Sequence, residues 1–408
     1  MSPLLVSGKI LSTTIGLVFV IMKKILEDIK ILDFTHVWFG PYTTMMLAEL
    51  GAEVVKVEPP WGTIGRMGPG ELYKGVSTTF YSLNLNKRDI SMDLKNPEVM
   101  EMIKELVKQS DVVIQNFAPG TMERLGLGYD VLKELNPKII YAALSGFGQS
   151  GPYSRYGSYA VVAEAISGHT YSTGKNHDYE GPPINMAGAL GDLGPAMYAA
   201  FSIVAAIRHR DKTGIGQMVD VCQVDTMVAF NCCASVAYDL FKESPIDRRQ
   251  DRPRDPQRIW GILPVKDGWV QIAGERSKAV ENLKAELGVD EVNKDMVVAR
   301  IKDMTKLEAF DWLAKLGFPC APIYEAHEAM WDPHLKARDM WVEVDHAVAG
   351  KHLVPNFPVK FSETPGEVNR PAPMLGQHTR EVLKEKLGKT DEELDALEKQ
   401  GAIVQWKG

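Results

Sequence analysis

Asp192 is the residue in this sequence best placed to do chemistry. It stands in Gly188-Ala189-Leu190-Gly191-Asp192-Leu193-Gly194-Pro195, one carboxylate among glycines. An uncharged, small-and-apolar run follows directly, over residues 196–207. Gly188, Gly191 and Gly194 have no Cβ, which would let a bulky ligand approach the backbone around the carboxylate. The apolar run reads as a buried helix. Asp192 then falls at its entrance, where free N–H groups and the dipole favour an anion. An ordinary N-cap fits the same description. From this segment alone the N-cap is the favoured reading, and a chemical role for Asp192 has to be argued from the rest of the chain.

The other reactive residue types are sparse. The four cysteines, Cys222, Cys232, Cys233 and Cys320, form no CxxC pair and suggest no disulfide framework, which fits a reducing cytosol. The nine histidines lack metal-ligand spacing, and His169 and His177 fall in a loop-like, solvated stretch, so no metal site is expected. A net charge of −7 without a basic block argues against nucleic acid as a partner. With 45% hydrophobic and 24% charged residues, the 408-residue chain has the composition of a soluble globular protein and length for two domains. Residues 10–22 are apolar, but too short to span a bilayer and followed by no small-residue cleavage site. No membrane association is expected, and residues 1–22 read as a dispensable extension.

The elements that must position Asp192 alternate between strand and helix. Residues 30–34 and 52–58 read as strands, with a helix between them that opens at Gly40-Pro41 and stops at Gly51. Strands are expected again at residues 89–94, 111–117, 138–144 and 218–221, with helices at 97–107 and 131–135. This βαβ pattern predicts an α/β domain with a mostly parallel sheet. Its ligands should gather at the carboxyl ends of the strands, the first of which carries Thr35-His36-Val37-Trp38-Phe39-Gly40-Pro41. The glycine fingerprint of a dinucleotide site is missing there, although Glu58 stands where a ribose-binding acid would be. Residues 247–258, rich in Arg, Asp and Pro, read as an exposed linker. A second, smaller domain follows, with a hairpin turning at Lys266-Asp267-Gly268 and helices near 280–287, 297–301 and 307–316. The chain closes in two helices, the last opened by the capping box Thr390-Asp391-Glu392-Glu393.

Taken in order, these stretches resemble one family, the class III CoA-transferases (the formyl-CoA and carnitine CoA-transferase group). The matching residues are Leu32-Asp33-Phe34-Thr35 with Gly40-Pro41, Ala48 through Glu58, Asn86-Lys87-Arg88 and Asn116-Phe117-Ala118-Pro119-Gly120. Leu144-Ser145-Gly146-Phe147-Gly148, Asp192, Lys212-Thr213-Gly214, Gly317-Phe318-Pro319-Cys320-Ala321-Pro322 and Leu375-Gly376-Gln377-His378-Thr379 complete the set. The resemblance implies an interlocked homodimer. It implies a Rossmann-like large domain built from both chain ends (residues 23–224 and 335–408) with an inserted small α+β domain after a linker (225–334). It assigns Asp192 as the catalytic aspartate, which takes CoA from an acyl-CoA as an aspartyl-CoA thioester and passes it to a free carboxylic acid. No permanently bound cofactor is implied, because coenzyme A is part of the substrate, and the enzyme is expected in the cytoplasm. His36, Val37, Lys87, Arg88, Asn116, Phe117 and Arg124 match positions near CoA, while Trp38, Phe39 and Tyr159 match positions near the acyl group.

Two features bear on the reaction. Arg258-Ile259-Trp260-Gly261-Ile262 has one glycine where several formyl-CoA transferases carry a glycine run, and Trp38 replaces a polar residue of that subgroup. The first points away from formyl or oxalate, and Trp38 toward a less polar or larger substrate. The rival reading is a 2-methylacyl-CoA racemase of the same superfamily, which needs a second acid/base opposite the aspartate. Its histidine aligns with Tyr159, and a phenol titrating near ~10 is a poor replacement. A non-catalytic CoA- or nucleotide-binding module is the third reading, and the intact Asp192 argues against it.

Overall fold

The computed structural model describes residues 24–250 and 255–408. They form two compact units, one from the chain up to residue 236 with residues 340–408, the other from residues 237–339. The expectation for residues 1–22 lies outside the described residues. So does the middle of the expected linker, residues 251–254, which is preceded by a helical turn at Asp247–Gln250.

In the first unit six strands run parallel: β1 (Lys30–Asp33), β2 (Glu53–Glu58), β3 (Arg88–Met92), β4 (Val112–Gln115), β5 (Ile140–Ser145) and β6 (Met218–Cys222). The order across the sheet is β3-β2-β1-β4-β5-β6, and Ile403–Val404 adds an antiparallel edge to β3. Successive side chains point to opposite faces of a strand. Leu32, Val55 and Val113 therefore pack with the helices Pro97–Lys108, Thr379–Leu387 and Asp391–Lys399, while Ile31, Val54, Val112 and Ile114 pack on the other side. Strands buried on both faces need apolar residues at nearly every position, which is why they read as short continuous runs. The expected capping box of the last helix is formed by Thr390 and Glu393.

Four helices bear on the site: α1 (Phe39–Glu49), α2 (Ala160–Ile166), α3 (Leu190–Thr213) and α4 (Gln223–Phe230). α3 corrects the sequence reading twice. It begins six residues earlier than expected, so Asp192 lies inside its first turn rather than at a cap, and Pro195 is accommodated within the helix. Nor is α3 buried all round. Ala196, Ala199, Ile203, Ala206 and Ile207 pack on the sheet, whereas Met197, Tyr198, Phe201 and Val204 are exposed, Phe201 by 72%. α3 has the length and apolar composition of a membrane span, and its buried stripe shows where half of that apolarity goes.

The second unit packs three helices, Ser277–Leu287, Lys294–Ile301 and Lys306–Leu316, on a three-stranded antiparallel sheet of Gly261–Val265, Gly268–Ile272 and Cys320–Pro322. Leu263, Val270, Ile272, Leu283, Val297, Ile301 and Leu313 form its core. The hairpin at Lys266-Asp267-Gly268 is present. A further hairpin in the first unit, Trp341–His346 with Gly350–Pro355, was not legible, because its outward Glu343, Asp345 and Lys351 make the stretch read as charged loop. His169 and His177 lie on a helix, His169–His177, not in a loop, and His169 Nε2 is 3.1 Å from the Met227 carbonyl.

Candidate active site

The strand order reverses between β1 and β4, and the crevice above their carboxyl ends is where parallel sheets take ligands. The turn from β1 to α1 forms its floor. Asp33 is fully buried. Its Oδ1 accepts from the Thr35 backbone N–H at 2.8 Å and from Thr35 Oγ1, and its Oδ2 accepts from Thr44 Oγ1 at 2.6 Å and Lys87 Nζ at 3.2 Å. Lys56 Nζ donates to the Thr35 carbonyl at 2.6 Å. The Lys87 and Lys56 ammonium groups and these hydrogen bonds outweigh burial and hold the Asp33 carboxyl at about 2.

Across the crevice, Asn116 follows β4 and spends its amide on the same turn. Its Oδ1 accepts from the His36 N–H at 2.9 Å and its Nδ2 donates to the His36 carbonyl at 2.8 Å. The clamp brackets His36 and stands directly before Val37, whose φ of 67° lies in the left-handed region that β-branched residues avoid. Such a conformation costs of order 1–3 kcal/mol and persists only where its surroundings enforce it. The His36 ring, 5.4 Å from the Phe117 ring centroid, is held neutral at physiological pH. Burial and the Lys56 charge lower it to about 4.

Asp192 projects from the first turn of α3. Two of the three glycines around it admit protein, not a ligand: a Cβ on Gly191 would lie 2.3 Å from the Ala160 carbonyl oxygen, and one on Gly194 would lie 2.4 Å from the Phe230 ring, whereas Gly188 faces open space. The N–H groups expected to be free here are also spent. The Gly191 N–H donates to Glu164 Oε1 at 2.9 Å, and those of Asp192 and Leu193 go to the Ala189 carbonyl. Glu164 Oε2 is buried without a partner among the described residues. One oxygen of Asp192, Oδ1, accepts from Gln223 Nε2 at 2.5 Å. Burial pushes the Asp192 carboxyl up to about 6, the Gln223 amide pulling it down and the Glu164 charge adding to the rise. At neutral pH it is therefore mainly a carboxylate, desolvated and more basic than one in water.

Asp192 lines a cleft of about 310 Å³ with His36, Val37, Trp38, Phe39, Asn116, Tyr159 and Gln223, and the strand-end residues Ser145 and Gly146. A more apolar cleft adjoins it through Val37, Trp38, Ile64, Tyr159 and Asp192. A third, of about 340 Å³, lies over the ends of β1 to β4 and is walled by Phe34, His36, Val57, Pro59, Trp61 and Phe117. Exposed Arg124 stands one residue before Leu125 in that wall.

Seven of the eleven sequence candidates thus meet in one cleft, Phe117 and Arg124 border the next, and two lie elsewhere. Lys87 is fully buried, its ammonium shared among Asp33, the Pro41 carbonyl and Asn84, so in this chain it is an internal counter-ion with no face for CoA. Arg88 bonds Glu53 at the start of β2, and Glu381 and Glu385 on a closing helix. Gln223, Glu164 and Ile64 were missed. Gln223 directly follows β6, so the strand-end rule that drew attention to His36 would have found it.

A profile of CoA-transferase family III matches residues 26–379. The formyl-CoA:oxalate CoA-transferase of Streptomyces avermitilis is 34% identical over 420 residues, covering 94% of this chain and 100% of the relative. The succinyl-CoA--L-malate CoA-transferase beta subunit of Chloroflexus aurantiacus is 32% identical, covering 93% and 98%. Among solved structures, a CaiB/BaiF family protein from Brucella suis superposes with a TM-score of 0.77 at 27% identity, covering 90% of this chain and all of that one. With a carboxylate presented at the crevice of an α/β fold and these matches along nearly its whole length, the chain belongs to CoA-transferase family III and is a transferase enzyme of that class.

Proposed function

We propose that the enzyme moves CoA from an acyl-CoA thioester to a free carboxylic acid, with Asp192 carrying CoA between them. One observation carries the reading: Asp192 is a desolvated carboxylate with one oxygen held by Gln223 and no hydrogen bond to the other among the described residues, in a cleft lined by its carboxylate. The unbonded oxygen, Oδ2, attacks the thioester carbonyl and expels CoA thiolate, leaving a mixed anhydride. The thiolate then attacks Asp192 Cγ, the donor acid departs, and an aspartyl-CoA thioester remains. An acceptor acid reverses the two steps. Tyr159 and Trp38 flank the acyl group, and neutral His36 stands between this cleft and the one walled by Phe117, which suits the adenine end of CoA. Lys95 and Arg124 at its margin would meet phosphate charge.

The acid is larger than formate. Trp38 and the adjoining apolar cleft give its chain a surface, while Ser145, Ser158 and Gln223 offer polar contacts to a second functional group. A second copy of the chain covers the apolar faces of α2, α3 and α4, threaded through the first as the family resemblance implies. CoA arrives and leaves as substrate, and the unpaired cysteines suit a reducing cytoplasm.

The test offers a panel of acyl-CoAs and acids to the enzyme and follows CoA exchange by mass spectrometry. Asp192→Ala should abolish exchange while CoA binding survives, and the wild-type peptide containing Asp192 should gain the mass of CoA when acyl-CoA is given alone. Substantial exchange by Asp192→Ala would remove Asp192 from this role. Rapid α-deuterium incorporation into a 2-methylacyl-CoA without any acceptor acid would overturn the transfer reading.

A further inference from the structure

The two carbonyl carbons in the proposed cycle need separate help. Attack on the substrate thioester places negative charge on the substrate's own oxygen. Attack of the thiolate on Asp192 Cγ, and later of the acceptor acid on the same carbon, drives the Cγ=Oδ1 electron pair onto Oδ1. A donor for that second oxyanion must point at Oδ1. The N–H groups of Gly191, Asp192 and Leu193 in the first turn of α3 do not serve, because they are bonded to Glu164 and Ala189. Gln223 is the side chain that reaches Oδ1, at 2.5 Å, and it is 4% exposed. An ionised carboxylate can only accept, which fixes the amide with its N–H inward.

The backbone that carries the amide is also anchored. Gln223 is the first residue of α4, immediately after β6, and its neighbours on both sides are tied to one carbonyl: Val224 N–H and Cys222 Sγ each donate to Gly146 at 3.1 Å. Gly146 follows β5 and lines the same cleft. The donor thus comes from a rigid strand end and needs no rearrangement as charge develops.

We propose that Gln223 is a catalytic residue, the oxyanion donor for every step at Asp192 Cγ; the proposal rests on the aspartyl-intermediate reading above. In the first half-reaction Oδ2 bonds to the acyl carbon as the C–S bond breaks, and the thiolate leaves with the electron pair. Its sulfur then bonds to Cγ, and the Cγ=Oδ1 pair moves onto Oδ1 against the Gln223 N–H. Collapse restores Cγ=Oδ1 and breaks Cγ–Oδ2, releasing the donor acid as its carboxylate. No proton or electron is left over. Loss of the donor therefore slows the second bond exchange more than the first, because a free Asp192 carboxylate attacks at least as well without a hydrogen bond on Oδ1.

The experiment compares wild type, Gln223→Met and Gln223→Leu, using succinyl-CoA carrying ¹⁴C in the acyl group and ³H in the CoA moiety as the probe. Wild type given the probe alone should hold ³H on the peptide containing Asp192. In Gln223→Met that peptide should hold ¹⁴C instead, the stalled anhydride, with free CoA released, and transfer to an acid should fall ~10²–10³-fold, the loss typical of one oxyanion donor. If Gln223→Met does not fold, the smaller Gln223→Leu also lacks a donor and should show the same change of label. A variant that folds, transfers within threefold of wild type and still holds ³H would overturn the role of Gln223 and leave the aspartyl reading intact. Wild type that takes up neither label would remove that reading, and this proposal with it.

Discussion

At the scale of single residues the site runs on charges taken out of water. Asp192 has a carboxyl raised from 3.8 to about 6, mainly by burial. Below pH 3.8 folded and unfolded chains both hold the proton. Between 3.8 and 6 the folded chain holds it more tightly, so this contribution to stability is lost as pH rises through about 6. At pH 7.5 the ionised carboxylate therefore costs stability. Asp192→Asn should raise the unfolding free energy at pH 7.5 by up to about 3 kcal/mol, two units at ~1.36 each. The gain should vanish near pH 4, as urea unfolding at the two pH values would show. The kcat/KM of the wild type should fall on the acid side of about pH 6 for the same reason. Lys87 makes the opposite case. Its removal leaves Asp33 buried without its ion pair, so Lys87→Met should cost about 3–5 kcal/mol. A residue that touched CoA would instead raise KM with melting unchanged, and comparing the two readouts separates the roles.

At the scale of elements, close approach of helices aims the Asp192 side chain. α2 and α3 meet with Gly191 against the Ala160 carbonyl, and that contact is backbone on both sides, so neither can yield by a rotamer change. Gly191→Ala should therefore displace the first turn of α3, with a stability loss of about 1–3 kcal/mol or more and a larger loss of transfer activity, because Asp192 is the next residue. A Gly191→Ala enzyme with wild-type turnover and melting would show that the first turn of α3 has slack. Gly194 is more forgiving, since the Phe230 ring it faces can turn aside. Asn116 acts in the same register. By holding both backbone groups of His36 it keeps Val37 in its costly conformation, joining the ends of β1 and β4 into one rim.

At the scale of the whole molecule the unexplained feature is apolar surface. Val161, Val162, Ile166, Met197, Tyr198, Phe201, Val204 and Val228 are all exposed within one unit, on three helices that also carry or flank Asp192 and Gln223. Soluble chains rarely leave so many large apolar side chains on adjacent elements bare. The expected outcome is a dimer by light scattering after gel filtration. Phe201→Asp, at the most exposed of these positions, should shift it toward monomer or aggregate and lower activity in parallel. A dimer unaffected by that charge would place the contact elsewhere.

The sequence by itself determined the α/β class, the closing helices with their Thr390 cap and the hairpin of the second unit. Those features are local: strand and helix periodicity, glycine stops and capping residues act within about ten residues of chain. Tertiary structure decided which side chains meet. Gln223 reaches Asp192 across 31 residues, and Asn116 reaches His36 across 80. Lys87 was expected near CoA because it matches a family position there. It proved to be the counter-ion of Asp33, 54 residues away. The bare face of α3 escaped notice for a related reason. A helix apolar on every side carries the same pattern whether its second face meets its own core or another chain, and only packing distinguishes them.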